Sequence, residues 1–173
     1  MRSWKVRSNR SVCRRTMSKL THVSLKNLIA SSYSHWDNGA YTHYLDAFSL
    51  RPDQTISSLS RGMKMKFSLA LALSHHAELL IMDEPFGKLD AQTRYKMQED
   101  LLKMWEQEKR TVIFVTNNIE EACYLGDRII LLSDCPARVK EVYPIDIPRP
   151  RDMVSREFLD LRTVISDNTD LSI

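Results

Sequence analysis

The chain has 173 residues, of which 43% are hydrophobic and 27% are charged, and this composition predicts one soluble globular domain with a hydrophobic core. Its longest nearly apolar run, residues 67–73, is far shorter than the roughly 20 residues that a membrane-spanning helix needs, so any membrane role must come through a partner. The three cysteines form no CxxC pair, which argues against a disulfide framework or a zinc site and favours a reducing compartment.

The net charge of +3 hides a basic head and a mildly acidic body. Residues 1–36 contain eight Lys and Arg residues and no acid, whereas the remaining residues carry 17 basic and 22 acidic side chains. Because charge runs without hydrophobic periodicity stay solvated, we expect residues 1–31 to be a disordered basic extension. A transit peptide and a nucleic-acid contact are the alternatives, since both are also rich in basic residues.

The hydrophobic pattern becomes regular from residue 37 onward. Apolar residues at helical spacing predict a short amphipathic helix over 37–48, which the turn at 51–53 ends. A second, apolar helix is predicted over about 61–75. Four apolar residues then run into two acids, which predicts a buried strand over 79–83 that delivers carboxylates to the edge of a sheet.

Strand and helix alternate through the rest of the chain. This alternation predicts a parallel α/β sheet that follows the helical piece. Asn118 and Glu121 have the spacing of a capping box, and Gly126 is expected to end the helix that they begin. The remaining predicted elements are a helix over 91–109, a strand over 111–116, strands over 128–133 and 139–147 on either side of a turn at 134–136, and a terminal helix that contains Phe158, Leu161 and Ile165.

Two groups of polar residues stand at the boundaries of these elements. Ser60 and Gly62 lie where the apolar helix begins, and a hydroxyl beside free backbone N–H groups makes an anion site. Asp83 and Glu84 follow at the end of the strand, where one carboxylate can hold Mg²⁺ on a nucleotide and the next can orient or deprotonate water. Each group alone is explained by helix capping, so the functional interpretation depends on their order and spacing.

This order of features resembles the ATPase subunits of ABC transporters. The resemblance implies an α/β fold with an incomplete sheet of the P-loop NTPase type, flanked by helices, and part of the helical signature subdomain. It also implies that ATP and Mg²⁺ are the cofactors. The signature segment of this family contacts an ATP molecule that the opposite subunit holds, and the residues in that position here are Ser60, Arg61, Gly62 and Met63.

The resemblance assigns roles to three acids. Asp83 would hold Mg²⁺ through water, and Glu84 would activate the attacking water. Asp90 lies in a Gly-Lys-Leu-Asp loop that resembles the one through which the two ATP sites of a dimer communicate. Asp90 also has the position of an N-cap for the helix that begins at residue 91, and the two roles are compatible.

Two features depart from the family pattern. Where the family has a catalytic histidine that contacts the γ-phosphate, this chain has Asn117, which can donate a hydrogen bond but cannot carry a proton or a charge. We therefore expect slower hydrolysis. The four glycines, at positions 39, 62, 87 and 126, include no pair five residues apart, so the sequence contains no G-x-x-x-x-G-K-[ST] loop to cradle phosphates. We expect the chain to be the C-terminal portion of such an ATPase.

The resemblance covers about residues 32–170 and changes character along the chain. Residues 36–85 resemble the ATPases of ABC-2-type exporters, whereas residues 86–173 resemble importer ATPases of the nitrate, sulfonate and taurine group. A fusion at the shared Met-Asp-Glu-Pro segment, by recombination or by a sequence-assembly error, would produce this pattern. The class of transported substrate therefore cannot be predicted.

The expected organisation follows from these assignments. Residues 1–31 form the extension, 32–77 the partial signature subdomain, 78–150 the C-terminal half of the nucleotide-binding core, and 151–173 a terminal helix and tail. The implied partners are a second ATPase subunit and transmembrane permease subunits. The chain would then be a cytoplasmic, peripheral protein that the permease holds at the inner face of the membrane.

Three functional hypotheses remain open. The first is the signature and catalytic-carboxylate part of an ABC-transporter ATPase, whose activity alone is doubtful without a phosphate loop. The second is a non-catalytic partner whose signature completes the ATP site of another ATPase subunit. The third is a DNA-associated ATPase of the ABC type, but the basic head has only Trp4 among its charges, and we regard nucleic acid as an unexpected partner.

Overall fold

The computed structural model describes residues 21–169. The prediction of disorder for residues 1–20, which include Cys13, lies outside the described residues. None of the helices within residues 21–169 is long and apolar enough to cross a membrane. A short 3-10 turn at Ile56–Ser58 precedes the third helix. The elements in chain order are α1 (His22–Ala30), α2 (Asn38–Ala47), α3 (Arg61–Leu73), β1 (Leu79–Asp83), α4 (Ala91–Glu108), β2 (Thr111–Val115), α5 (Ile119–Leu125), β3 (Arg128–Leu132), β4 (Val139–Pro144) and α6 (Arg156–Asn168).

The chain divides into two compact units. Among residues 21–169, the first contains residues 21–80 and 88–94, and the second contains residues 81–87 and 95–169. The first unit is therefore helical, and the second holds most of the strands. This division places the predicted signature segment in one unit and the predicted carboxylate pair in the other.

Helices α2 and α3 form the core of the first unit. Asp37 caps α2 by accepting a hydrogen bond from the backbone N–H of Ala40 at 3.0 Å, so the helix begins where the sequence predicted. The apolar side of α2 packs against α3. The buried residues of the two helices are Tyr41, Tyr44, Leu45, Phe67, Leu69, Ala70, Leu71 and Leu73.

Helix α1 corrects one prediction. The segment 1–31 was expected to be disordered, but residues 22–30 are helical, and Thr21 accepts a hydrogen bond from Ser24 N–H at their start. His22 is fully buried, and its ring stacks on Phe67 with a centroid separation of 4.2 Å. A charge count misses such a helix because the contact that fixes it is made with a residue far along the chain.

The core of the second unit is formed by α5, α6 and the strands near them. Its buried cluster contains Cys123, Tyr124, Ile129, Ile145, Phe158 and Ile165. Phe158 and Ile165 lie on one side of α6, which confirms the predicted terminal helix. The long helix α4 also follows its prediction, since Met97, Leu101 and Met104 are buried on a single stripe.

The strands form two separate two-stranded sheets, and this corrects the prediction of one parallel sheet. Strands β3 and β4 pair antiparallel, with Ile130 opposite Val142 and Leu132 opposite Val139. The reason is the connection, because a few residues can join antiparallel neighbours whereas parallel neighbours need a crossover of about a dozen residues or more. Strands β1 and β2 do have such a crossover, which is helix α4.

The prediction that the strands over 79–83 and 111–116 are buried is wrong. In β1, Leu80 and Met82 are buried, but Ile81 is 67% exposed. In β2, Ile113 and Val115 are exposed as well. Period-2 alternation gives a strand two faces, and in the part of the chain that the structure describes only one face of this sheet is covered. Apolar residues on the other face made the sequence look like a strand buried on both sides.

Two arginines satisfy the C-terminal end of α5. The last four carbonyl groups of a helix have no partner within the helix. Arg151 is buried and donates from Nη1 to the carbonyl oxygens of Cys123, Tyr124 and Gly126 at 2.9, 3.0 and 2.6 Å. Arg149 donates from Nη2 to the carbonyl oxygen of Leu125. We call these two residues the arginine clamp.

The clamp is itself held in place. Arg151 Nε donates to the Ile147 carbonyl oxygen at 2.9 Å, and Arg149 pairs with Asp127 and lies over the Trp105 ring with 4.7 Å between guanidinium carbon and ring centroid. Positive charge at a helix C-terminus is favourable because the carbonyl groups carry partial negative charge. The segment after β4 therefore fixes the position of α5.

We predict that the clamp is the main polar contribution to the stability of the second unit. The variant Arg151→Met keeps the aliphatic stem but removes the donor from two buried carbonyl groups and one part-buried carbonyl group, and it should lower the free energy of unfolding by about 2–4 kcal/mol. Urea unfolding followed by circular dichroism measures this change. The matched control is Arg156→Met, whose side chain is 93% exposed and should change stability little. Equal effects of the two variants would contradict the prediction.

Candidate functional site

The carboxylate pair stands at the end of strand β1. Asp83 is the last residue of the strand, and Glu84 follows it, with its backbone N–H donating to the Val115 carbonyl oxygen at 2.8 Å. Val115 is the last residue of β2, so this bond joins the ends of the two strands. Both carboxylates are exposed, and neither is hydrogen-bonded to another described residue. They are therefore available to a ligand.

Glu84 has an uncommon backbone conformation. Its φ is 41°, in the left-handed region. A residue other than glycine adopts this backbone conformation at a cost of roughly 1–2 kcal/mol. Residues held in such conformations cluster at functional sites, where the surrounding structure maintains them. The side chain turns toward the following loop, since its Oε2 is 3.8 Å from where a Cβ at Gly87 would stand. The loop thus presents the carboxylate beside the end of the strand.

Asn117 lies two residues beyond the end of β2, at the same end of the sheet as the carboxylate pair. Its side chain is exposed, whereas both neighbours along the chain are hydrogen-bonded. Thr116 Oγ1 accepts a bond from Asn118 N–H at 3.0 Å, and Asn118 Oδ1 accepts one from Glu121 N–H at 3.2 Å. The second bond confirms the predicted N-cap. The structure therefore brings Asp83, Glu84 and Asn117 together in one unit.

The signature residues lie at the start of α3 in the first unit. Ser60 caps this helix, because its Oγ accepts a hydrogen bond from Met63 N–H at 3.2 Å. Arg61 donates from Nη1 to the Lys88 carbonyl oxygen at 2.8 Å. Gly62 is buried and Met63 is half-buried, whereas Ser60 and Arg61 are exposed. The Ser60 hydroxyl keeps its proton available for donation to a ligand.

Asp90 caps helix α4. Its Oδ1 accepts a hydrogen bond from Thr93 N–H at 2.9 Å, and this bond is the main reason why the pKa of Asp90 lies below its usual value. The loop that contains Asp90 is tied to the signature, since Lys88, two residues earlier, receives the Arg61 hydrogen bond. The first unit thus joins two of the predicted functional segments directly.

The residues at the sheet end suit a Mg²⁺ ion that has few protein ligands. They supply hard oxygen donors from two carboxylates, which is the donor chemistry that Mg²⁺ prefers. A cage of at least three acids, histidines or cysteines does not occur among residues 21–169. The arrangement therefore suits a Mg²⁺ ion that keeps most of its waters and takes further ligands from nucleotide phosphates.

Sequence reasoning missed two groups of residues. Arg149 and Arg151 were seen only as part of a segment shared with importer ATPases, because the carbonyl groups that they bind are 24 to 28 residues away. Thr116 and Glu121 were treated as a strand end and a capping residue. The signal that could have drawn attention to them is the T-N-N-x-x-E spacing, which places a hydroxyl and a carboxylate on either side of Asn117.

Comparisons with known proteins show which family the chain resembles. Residues 2–87 match the family model described as ABC transporter. An uncharacterized ABC transporter ATP-binding protein of Methanocaldococcus jannaschii is 50% identical over 107 residues, which are 62% of this chain and 40% of that protein. The aliphatic sulfonates import ATP-binding protein SsuB of Bacillus cereus is 44% identical over 104 residues, or 60% of this chain and 41% of that protein.

Solved structures give the same result for the fold. The dimeric structure of a bacterial ABC transporter cassette aligns with a TM-score of 0.57 and 26% identity, over 74% of this chain and 58% of that one. A post-hydrolysis dimer of the same cassette, bound to ADP and phosphate, aligns equally well at 25% identity. The chain spans less than half the length of the curated relatives described above. The resemblance predicted from the sequence is therefore confirmed, and the family model extends it to residue 2.

We predict that the Asp90 cap gives the stability of the chain a specific pH dependence. Because the folded state lowers the pKa of this carboxyl, its contribution is complete above the unfolded-state pKa of about 4 and is lost as the pH falls through the folded-state pKa. Asp90→Asn keeps a neutral oxygen acceptor, so its unfolding free energy should fall less than that of the wild type between pH 6 and pH 3.

Urea unfolding at a series of pH values measures this difference. Asp90→Ala is the matched control, since it removes the acceptor and should be less stable than Asp90→Asn already at pH 6. Parallel pH profiles for the wild type and Asp90→Asn would contradict the prediction.

Proposed function

We propose that this chain, which is related to the ATP-binding proteins of ABC transporters, is the part of such an ATPase that carries the signature and the catalytic carboxylates. The observation that supports this proposal most directly is the meeting of Asp83, Glu84 and Asn117 at one end of β1 and β2, where Glu84 N–H bonds to Val115. Open α/β sheets bind ligands at the carboxyl ends of their strands, and a nucleotide is the ligand that this combination of side chains suits.

Each residue at the sheet end has a separate task in ATP hydrolysis. Asp83 would hold Mg²⁺, and the ion would neutralise the charge of the phosphates. Glu84, which follows Asp83 in the chain, accepts the proton of the water that attacks the γ-phosphate. Asn117 donates a hydrogen bond from its side-chain amide to a γ-phosphate oxygen. Because an amide stays neutral, Asn117 stabilises the developing charge less than a protonated histidine does, and hydrolysis is slow.

The signature acts on a different ATP molecule. Ser60 uses a lone pair to cap α3, which leaves its hydroxyl proton free to donate to a phosphate oxygen held by an opposite subunit. The exposed N-terminus of α3 adds partial positive charge at the same place. Arg61, fixed to the Lys88 carbonyl oxygen, supplies a full positive charge nearby. We propose a second ATPase subunit as the partner at this face.

Transport requires further partners. We propose that membrane-spanning permease subunits hold this chain at the inner face of the membrane, as expected for an ATPase that couples hydrolysis to import or export. Relatives named for bicarbonate and aliphatic sulfonate transport indicate that anion import lies within the range of similar proteins.

A second candidate is a non-catalytic partner. The sequence has no phosphate loop, and phosphate contacts from such a loop supply most of the nucleotide affinity in P-loop ATPases. The signature at Ser60 needs no such loop of its own. In this role the chain completes the ATP site of an intact subunit and hydrolyses nothing itself.

The two candidates differ in what Mg-ATP does to the sheet end. In ¹⁵N-labelled full-length chain at millimolar Mg-ATP, the first candidate predicts chemical-shift changes at the backbone amides of Asp83, Glu84 and Asn117. Mg-AMP, which lacks the β- and γ-phosphates, should leave these amides unchanged. Asp83→Asn should abolish the Mg²⁺-dependent part of the response, because an amide holds the ion much more weakly than a carboxylate.

Calorimetric titration with Mg-ATP gives the affinity in parallel. We expect binding much weaker than micromolar, since the phosphate loop is missing from the sequence. Shift changes confined to the α3 N-terminus would favour the non-catalytic partner, and identical responses to Mg-ATP and Mg-AMP would contradict the first candidate. Micromolar binding that Asp83→Asn removes would show that the chain holds a complete nucleotide site.

A further inference from the structure

Helix α5 begins directly after Asn117 and is fixed at both ends. At its C-terminal end the arginine clamp binds the carbonyl oxygens of residues 123–126. At its N-terminal end a second set of hydrogen bonds encloses the turn that carries Asn117. The helix therefore acts as a short rigid element that connects residue 117 to the core of the second unit.

The bonds at the N-terminal end form a closed ring. Thr116 Oγ1 donates to Glu121 Oε2 at 2.9 Å and accepts from Asn118 N–H at 3.0 Å. Asn118 Oδ1 accepts from Glu121 N–H at 3.2 Å. Thr116, Asn118 and Glu121 are thereby joined to one another, and Asn117 lies between the first two. We call this arrangement the Thr116–Glu121 ring.

Burial makes the ring stiff. Glu121 is only 4% exposed, and hydrogen bonds to a charged group with little access to water are stronger than those at the surface. Cys123 and Tyr124, which follow Glu121 on α5, belong to the hydrophobic cluster of the second unit. A shift of the ring would therefore require the cluster and the arginine clamp to move as well.

We propose that Thr116 and Glu121 are positioning residues that hold Asn117 in a single orientation toward the sheet end. The proposal rests on the proposed function, since Asn117 is the residue that would contact the γ-phosphate. Asn117 itself has an exposed side chain, so its backbone on both sides must supply the constraint. The ring supplies it, because residues 116 and 118 are joined by a direct hydrogen bond across residue 117. A neutral donor such as the Asn117 amide needs this constraint more than a charged donor does. The energy of a hydrogen bond from a neutral donor depends strongly on its direction.

The ring could instead serve only to cap α5, and two variants separate these roles. Thr116→Val has nearly the same shape as the wild type but lacks the hydroxyl, so it removes both of the Thr116 bonds. Thr116→Ser restores the hydroxyl. The measurement uses the full ¹⁵N-labelled chain without nucleotide. It records the hydrogen-exchange rate of the Asn118 amide and the rotamer averaging of the Asn117 side chain.

For Thr116→Val we expect Asn118 exchange to accelerate by about tenfold, as for loss of one hydrogen bond, and the Asn117 side chain to change from one rotamer to an average of several. Thr116→Ser should return both observables to the wild-type values. A third variant, Glu121→Gln, keeps an oxygen acceptor for Thr116 and should leave Asn117 in one rotamer.

Faster Asn118 exchange with an unchanged Asn117 rotamer would show that the ring is only a helix cap, and the proposal would be wrong. Unchanged values of both observables in Thr116→Val would overturn it as well. The outcome for the proposed function is separate, because it depends on the response of wild-type Asn117 to Mg-ATP. A missing response there would reject the γ-phosphate contact and leave the result for the ring intact.

Discussion

The backbone groups at the ends of helices must find hydrogen-bond partners outside the helix, and this constraint places most of the important polar residues of the chain. Ser60, Asp90 and Asn118 each accept a bond from a backbone N–H in the first turn of a helix. Two of these residues, Ser60 and Asp90, are also candidates for contact with nucleotide or with a second subunit. A cap is a good location for such a residue, because one bond fixes the side chain while the rest of its polar atoms stay accessible.

Helix α5 shows how the same constraint can link distant parts of a chain. Its C-terminal carbonyl groups are satisfied by Arg149 and Arg151, which come from the segment after β4. Its N-terminal end is closed by the Thr116–Glu121 ring at the end of β2. A seven-residue helix has little intrinsic stability, so these contacts, rather than its sequence propensity, define where it lies. The geometry around Asn117 therefore depends on residues more than thirty positions away.

Sequence reasoning predicted the features that depend on local patterns. Helix α2, helix α4 and the cap at Asn118 follow from spacing and composition within a few residues, and all three occur in the structure. It failed where the outcome depends on distant contacts. The stacking of His22 on Phe67 and the exposed outer face of β1 could not be predicted, because each depends on what lies against the residue in space. Alternation of strands and helices likewise predicted a parallel sheet, whereas β3 and β4 pair antiparallel on either side of the turn predicted at 134–136.

The hairpin of β3 and β4 carries an apolar face that remains in contact with water. Ile130 and Leu132 on β3 are opposite Val142 and Val139 on β4, and all four side chains are exposed by 45% or more. At these four positions unfolding exposes less further apolar surface than at buried ones, since about half of each side chain is already hydrated. The heat-capacity increment that accompanies unfolding comes largely from newly hydrated apolar groups, so this face contributes less to it than the opposite face of the hairpin, where Ile129 is buried. A smaller increment gives a flatter stability curve, so the exposed face lessens the change of the free energy of unfolding with temperature.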